Sequence, residues 1–456
     1  MKTYLLGIVA AALVAGCMVG PDFERPVVED MPSEWLAPQG AEAAEYAAST
    51  NWWASFGDAE LDSLLARGRG QNLSLRQSVL RIEQSRASLR QVSASLGPSL
   101  SASAGASETK NWNPSETRES YKAGLDASWE IDLFGGNRRS REAAIAELEA
   151  TECAHAASVL ALESEIADRY FDLRLQQANL DTTRSNLVLQ AQSLEIARAR
   201  SEAGVTSELD RLSTEAQYHS TQAQIPSLEA GLSATVRSLE LLLGLVPGAL
   251  DAELADAAPV PLATALPQAG VPADILDRRP DVRQSEARLH AATAQVGAAL
   301  ADRFPKVTIG GSASMSSDSI SSWGDAIKAL GGNVGLSVPI FNSGAKKARY
   351  EQQKLALEEL ALAYRETVLT ALSEVETAWR ALEREQARTG DIEKSADYTR
   401  DAAELANRLY DAGQADYQEV ISRQSALLSA EQALNQHRAS LASGAVALYR
   451  ALGGGY

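Results

Sequence analysis

Leu125-Asp126-Ala127-Ser128-Trp129-Glu130-Ile131-Asp132-Leu133-Phe134 is the stretch that decides the fold. Leu125, Ala127, Trp129, Ile131 and Leu133 alternate with Asp126, Ser128, Glu130 and Asp132. A period of two sends successive side chains to opposite faces of a strand, so one face is apolar and the other acidic. The stretch has a counterpart further on. Residues 76–134 lie on residues 283–341 at a constant offset, with Arg76-Gln77-Ser78 on Arg283-Gln284-Ser285, Pro98 on Pro305 and Phe134 on Phe341. One inserted residue then brings Arg138 onto Lys346, and a second brings Gly204 onto Gly413.

Each copy runs helix, β-rich stretch, very long helix, glycine turn, helix. Copy one covers 52–244, with a β-hairpin at 98–134 and a helical hairpin at 138–243. Copy two covers 281–456, with its hairpins at 305–341 and 345–452. In copy one, weak alternation over Ser99–Ser107 precedes the polar stretch Glu108–Arg118, which contains Asn113-Pro114 and reads as a loop. In copy two, Val307, Ile309, Gly311, Ala313 and Met315 share one face, and Val334, Leu336, Val338 and Ile340 return. A helix is expected from about Asp58 to Leu96, with Gly68 and Gly70 as the places to break it. From Arg138 to Ala203 there is neither Gly nor Pro, which makes a helix roughly 100 Å long. Ala345 to Ala412 matches it, with Gly390 inside. Gly204 and Gly413 stand where a left-handed residue ends a helix, and Pro226 is expected to kink the first return helix. Residues 245–280, with six prolines from Pro247 to Pro280, read as the linker between copies.

The first residues read as a targeting signal. Lys2 and the apolar run Leu5 to Ala15 read as a signal peptide over residues 1–16, too short to span a bilayer. Val14-Ala15-Gly16-Cys17 resembles a lipoprotein cleavage box, which would leave Cys17 carrying a diacylglycerol and an N-acyl chain; Met18 in place of Asp favours the outer membrane by resemblance to sorting rules. Residues 17–51, with Pro21, Pro26, Pro32 and Pro38, read as an extended lipid-anchored tether. Cys153 is then left without a disulfide partner and reads as a packing residue.

Composition excludes several classes. The net charge of −18 argues against nucleic acid and fits a periplasmic surface. No later run is long and apolar enough for a transmembrane helix. His155, His219, His290 and His437 are scattered, without i,i+4 metal pairs, and no glycine-rich phosphate loop follows a strand. Met18, Met31 and Met315 are too dispersed for a soft-metal path. Neither an enzyme nor a resident metal or cofactor is expected.

The fold expected is mainly α with β, a duplicated unit of helix, β-hairpin and long helical hairpin. Four strands of membrane length cannot close a barrel, and open edges are not tolerated in lipid, so strands must be shared between chains. Two chains would give about eight strands and three about twelve, and periodicity does not choose between them. Outward residues would be Leu125, Trp129, Ile131, Leu133, Val307, Ile309, Leu336, Val338 and Ile340. The alternative is a lipid-tethered structural coiled coil with small β knots.

Several motifs carry a family resemblance. Asn51-Trp52-Trp53 with Phe56-Gly57-Asp58, Trp129-Glu130-Ile131-Asp132-Leu133-Phe134-Gly135, Leu242-Leu243-Gly244 with Pro247-Gly248, Arg278-Arg279-Pro280-Asp281-Val282 and Ala451-Leu452-Gly453-Gly454-Gly455 occur in this order. Together they resemble the TolC/OprM-type outer-membrane factors, in the lipidated NodT-like branch, over essentially the whole chain from Cys17. The resemblance implies a homotrimer with a twelve-stranded outer-membrane β-barrel continued by a periplasmic α-helical barrel. It implies passive export of small molecules beside a periplasmic adaptor and an inner-membrane RND transporter. An exit duct for type I protein secretion is the rival within transport.

The resemblance also places function at the two helical-hairpin turns, Gly204, Val205 and Thr206 with Gly413, Gln414 and Ala415, which would meet the adaptor. The family often carries an acidic residue on the second return helix, where this chain has Ser422. Asp416 and Glu419 nearby, and Asp210 and Glu208 in copy one, are the remaining candidates for a periplasmic gate.

Overall fold

The computed structural model describes residues 18–27, 31–36, 51–113, 115–265, 271–321 and 323–454. Cys17 and the segment before it lie outside the described residues, so the acylation reading does too. The described elements are α1 (Ala59–Gln71), α2 (Leu73–Ala94), β1 (Ser99–Trp112), β2 (Ser115–Ile131), α3 (Gly136–Glu202), α4 (Glu208–Leu243), α5 (Pro280–Ala301), β3 (Lys306–Ser317), β4 (Ile327–Ser337), α6 (Ala345–Asp411) and α7 (Tyr417–Ala451), with short helical turns between some of them. The order of the duplication is reproduced in full. α4 continues through Pro226 and α6 through Gly390.

The chain divides into two compact units that do not follow the repeats. One comprises 1–29, 79–154 and 281–367; the other 30–78, 155–280 and 368–456. Each unit draws on both copies. The first holds one antiparallel sheet in the order β1-β2-β3-β4. Where β2 leads into α3, Phe134 stacks on Phe304 with ring centroids 4.7 Å apart.

The second unit has its core where Trp52 stacks on Tyr449 at 5.3 Å and Phe56 meets Phe171 at 5.1 Å. Burying such rings gives both contact area and aromatic geometry. Tyr170 donates to Asp58 (2.8 Å), which also caps α1 by accepting from the amides of Glu60 and Leu61. Arg69 pairs with buried Glu163 and lies over the Trp53 ring at 4.4 Å. In the linker, Leu250, Leu254 and Val260 are buried, so its first part is packed structure.

Several expectations are corrected. The expected 58–96 helix breaks at Asn72, not at Gly68 or Gly70. Asn72 Oδ1 accepts from the Leu75 amide and Nδ2 donates to the Leu242 carbonyl, so its side chain serves the junction. Gly68 is there for contact: a Cβ would sit 2.4 Å from Ile166 Cδ1. The polar stretch Glu108–Arg118 is mostly strand, since the ladder runs on to Trp112↔Ser115. Backbone pairing does not need apolar side chains, so polarity marked the end of the apolar band and not the end of the strands.

Leu133, Val338 and Ile340 lie beyond their strands. β2 stops at Ile131 because Asp132 leaves the ladder, and its carboxylate accepts the amides of Asn137 (3.2 Å) and Arg138 (2.9 Å) at the start of α3. β4 stops at Ser337, before Pro339, which has no N–H to give a ladder. The stretch from Met18 to Val27 is no loose tether either, because Val19 donates to the Phe134 carbonyl (3.1 Å).

Candidate functional site

The sheet's pairing sorts its residues into two faces. Leu125 pairs with Ala102 and Ala313, Trp129 with Ile309, Ile131 with Val307, and these with Val334 and Leu336 on β4. Paired residues share a face, so Leu100, Ala102, Leu125, Trp129, Ile131, Val307, Ile309, Leu330, Val334 and Leu336 form one continuous apolar surface. Leu330 is 89% exposed and Val334 75%. On the opposite face Ser101, Ser103, Asp126, Ser128, Glu130, Ser312, Ser314 and Asn333 alternate with them. Six of the nine residues expected to face outward (Leu125, Trp129, Ile131, Val307, Ile309 and Leu336) lie on this surface within strands. β1 and β4 end the sheet, so each keeps one edge without a strand partner among the described residues.

The two helical-hairpin turns are built alike at their starts. Gly204 has φ +66° and Gly413 φ +73°, the left-handed values that favour glycine. The Val205 amide reaches back to the Arg200 carbonyl (2.9 Å) and the Gln414 amide to the Leu409 carbonyl (2.8 Å), closing α3 and α6 in the same way. They diverge at the next helix. Ser207 and Asp210 form a capping box at α4, with the Ser207 amide donating to Asp210 Oδ2 (3.2 Å). Asp416 is the N-cap of α7 but makes no such bond. Val205 and Leu209 leave the first turn strongly exposed and apolar, while Thr206 keeps its hydroxyl buried without a partner.

The gate candidates are not brought together as a set. Asp210 serves its cap, Glu419 accepts from Arg423 Nε (2.6 Å), Glu208 is held by Arg211 Nε (3.0 Å), which lowers its pKa, and Asp416 and Ser422 are exposed. The link between the two hairpins lies elsewhere. Arg200 on α3 donates to the carbonyl of Tyr410 on α6 (3.2 Å) and lies 4.3 Å from that ring's centroid. Tyr410 in turn meets Tyr417 edge-on at 5.1 Å. Tyr410, Tyr417 and Val420 form a small buried core, and burial raises the Tyr417 pKa. Behind it, Gln424 Nε2 donates to Ser193 (3.1 Å) and Asn407 (3.2 Å), while Asn186 donates to the Gln424 carbonyl (3.2 Å).

Sequence reasoning missed Arg200, Tyr410, Tyr417 and Gln424. The available signal was two tyrosines flanking the Gly413 turn in a chain only 5% aromatic. The histidines are held singly, His437 between Glu385 (3.0 Å) and Thr389 (3.0 Å), and His290 against Glu142 (3.2 Å). Among the described residues no group of three or more His, Cys, Asp or Glu could hold a metal ion, and no helix is long and apolar enough to cross a membrane.

Comparison with known proteins agrees with this geometry. The family profile described as "Outer membrane efflux protein" matches residues 64–245 and again 271–454, one match in each copy. Nodulation protein T of Rhizobium leguminosarum bv. viciae is 30% identical over 452 residues, covering 99% of this chain and 93% of the relative. The toluene efflux pump outer membrane protein TtgF of Pseudomonas putida is 30% identical over 482 residues, covering 100% and 98%. The solved outer-membrane channel OprN superposes with a TM-score of 0.88 at 31% identity, covering 96% of this chain and 99% of that one. With its exposed apolar sheet face and its two matched halves, this chain belongs to the outer membrane efflux protein family.

Proposed function

We propose that the chain is the outer-membrane duct of a tripartite efflux system, acting as a homotrimer beside a periplasmic adaptor and an inner-membrane RND transporter. One observation carries the reading: a four-stranded sheet with an exposed apolar face and two edges that have no strand partner among the described residues. In lipid such edges need partners, and the apolar face needs hydrocarbon. Three copies supply about twelve strands, enough to leave an opening lined by the polar face with Asp126 and Glu130. Diacylglycerol and an N-acyl chain on Cys17 provide a second hold, since two lipid signals anchor stably where one does not.

Transport through the duct is passive, and the duct performs no chemistry and needs no cofactor. The turns Gly204-Val205-Thr206 and Gly413-Gln414-Ala415 meet the adaptor, and the apolar Val205 and Leu209 favour contact at the first. The resting tip is held by the Arg200–Tyr410 link, with Asp210, Asp416, Glu419 and Ser422 as secondary gate positions.

Planar bilayers test the proposal. Stepwise currents from detergent-purified protein with the mass of three chains support it. Folded protein that leaves bilayers silent even with the Arg200–Tyr410 link removed by Arg200→Ala overturns it in favour of a lipid-tethered coiled coil.

A further inference from the structure

The segment after Cys17 has a seat built for it. Gly20 has φ +98°, and a Cβ there would lie 2.4 Å from Gly297 Cα on α5. Backbone meets backbone at that point, so no side chain fits at residue 20. A Cβ on Gly297 would in turn lie 3.0 Å from the Arg139 side chain, and one on Gly135 (φ +79°) 2.6 Å from Met18. The approach therefore rests on three glycines, two in the left-handed region.

Arg139 closes the seat. Its side chain is 2% exposed. It donates to the carbonyls of Val19 (3.3 Å) and Gly20 (3.4 Å), to Asp22 Oδ1 (2.6 Å) and to Glu142 Oε2 (2.9 Å). A buried guanidinium needs such partners, and its rigid fork serves several acceptors at once. Beyond the clamp, Phe23 stacks on His290 at 4.5 Å and Arg25 pairs with Glu286 at 2.9 Å. Among the described residues copy two has no such cover: the counterpart of Phe134, Phe341, is 87% exposed and its neighbour Ile340 94%.

We infer that residues 18–25 are a docked strap, clamped by Arg139, that fixes where the acylated amino terminus enters the lipid leaflet. The inference rests on the reading of Cys17 given above. Met18 sits against Gly135, just past the end of β2 and at the sheet end that carries the helices. The strap holds the chain next to Cys17 in place and joins lipid anchor and sheet into one attachment. Arg139 is a positioning residue here, and the partner surface is the lipid leaflet next to the base of β2.

Hydrogen exchange on the full chain in vesicles tests this, read at the Val19 amide that donates to Phe134. It exchanges about a hundredfold slower than a free chain in the native protein and in Cys17→Ser alike. Gly20→Ala and Arg139→Met each speed it at least about tenfold, while amides of the β2–β3 ladder keep their protection. In the lipidated native protein a nitroxide at Glu24→Cys reports one depth in the bilayer, and Gly20→Ala broadens it. A Val19 amide that exchanges at the free-chain rate in native protein overturns the strap, as does one that stays protected in both variants. An intact mass without acyl groups at Cys17 removes the anchor and the positioning role together, even if Val19 stays protected.

Discussion

Placing a charge on the apolar face of β2 should cost far more than placing it one residue away. Tyr121 and Trp129 both point to the apolar face, and Leu125 lies halfway between them. At about 3.3 Å per residue and a tilt near 40°, the two rings stand roughly 20 Å apart along the membrane normal, which puts Leu125 near mid-depth. Leu125→Arg should therefore destabilise the inserted protein by about 2–4 kcal/mol per chain, the range for arginine at the bilayer midplane. Asp126→Arg makes a comparable change at nearly the same depth on the polar face and should cost under about 1 kcal/mol, while altering conductance or ion selectivity. The assay is urea unfolding from lipid vesicles, comparing midpoints of the two variants with native protein. Equal losses, or a larger loss from Asp126→Arg, would refute the assignment of faces.

At the tip, Arg200→Ala removes a charged hydrogen bond and a cation–π contact, together about 2 kcal/mol. Channels in planar bilayers should then spend more time open relative to closed, by about thirtyfold for each of the three links that has to break; unchanged gating would dismiss the link as a latch. Neutralising Asp210 and Asp416 together tests the acidic gate separately, and unchanged conductance discards it; Asp210→Asn alone should still lower helix stability by about 0.5–1 kcal/mol through its cap. Burial raises the Glu163 pKa despite the pull of Arg69. Its protonated form is favoured in the folded chain, so its contribution is present below the ordinary carboxylate value near 4.3 and is lost as pH rises through the raised value. Unfolding midpoints of native protein should therefore fall relative to Glu163→Gln as pH rises above the ordinary carboxylate range, whereas parallel curves would count against a buried, perturbed Glu163.

The parts of the fold that were legible beforehand are those with a strong period. Leu125 to Ile131 announced a two-faced strand, and the glycine-free run after Arg138 announced a long helix closed at Gly204. The offset between the halves fixed the element order. Strand ends were not legible, because they depend on single side chains leaving the ladder, as Asp132 does to receive the α3 amides. The polar reach of the first hairpin reads as loop because alternation reports burial, and an extended ribbon paired outside the apolar band has none to report. The strap was hidden for a related reason. Gly20, Gly135 and Gly297 matter through close approach of distant segments, which no local pattern records. At the tip, carboxylates drew attention by charge, while the link uses Arg200, a backbone carbonyl and two tyrosines from a distant helix pair.

In the proposed duct the apolar face of this sheet meets lipid while the other face lines water. Nitroxide labels placed singly from Ala123 to Trp129 in vesicle-inserted protein test it most directly, by comparing access of oxygen with access of a nickel chelate. A period of two is expected, with oxygen favoured at Ala123, Leu125, Ala127 and Trp129 and the chelate at Gly124, Asp126 and Ser128. A flat profile, or chelate access highest at the odd positions, would contradict it.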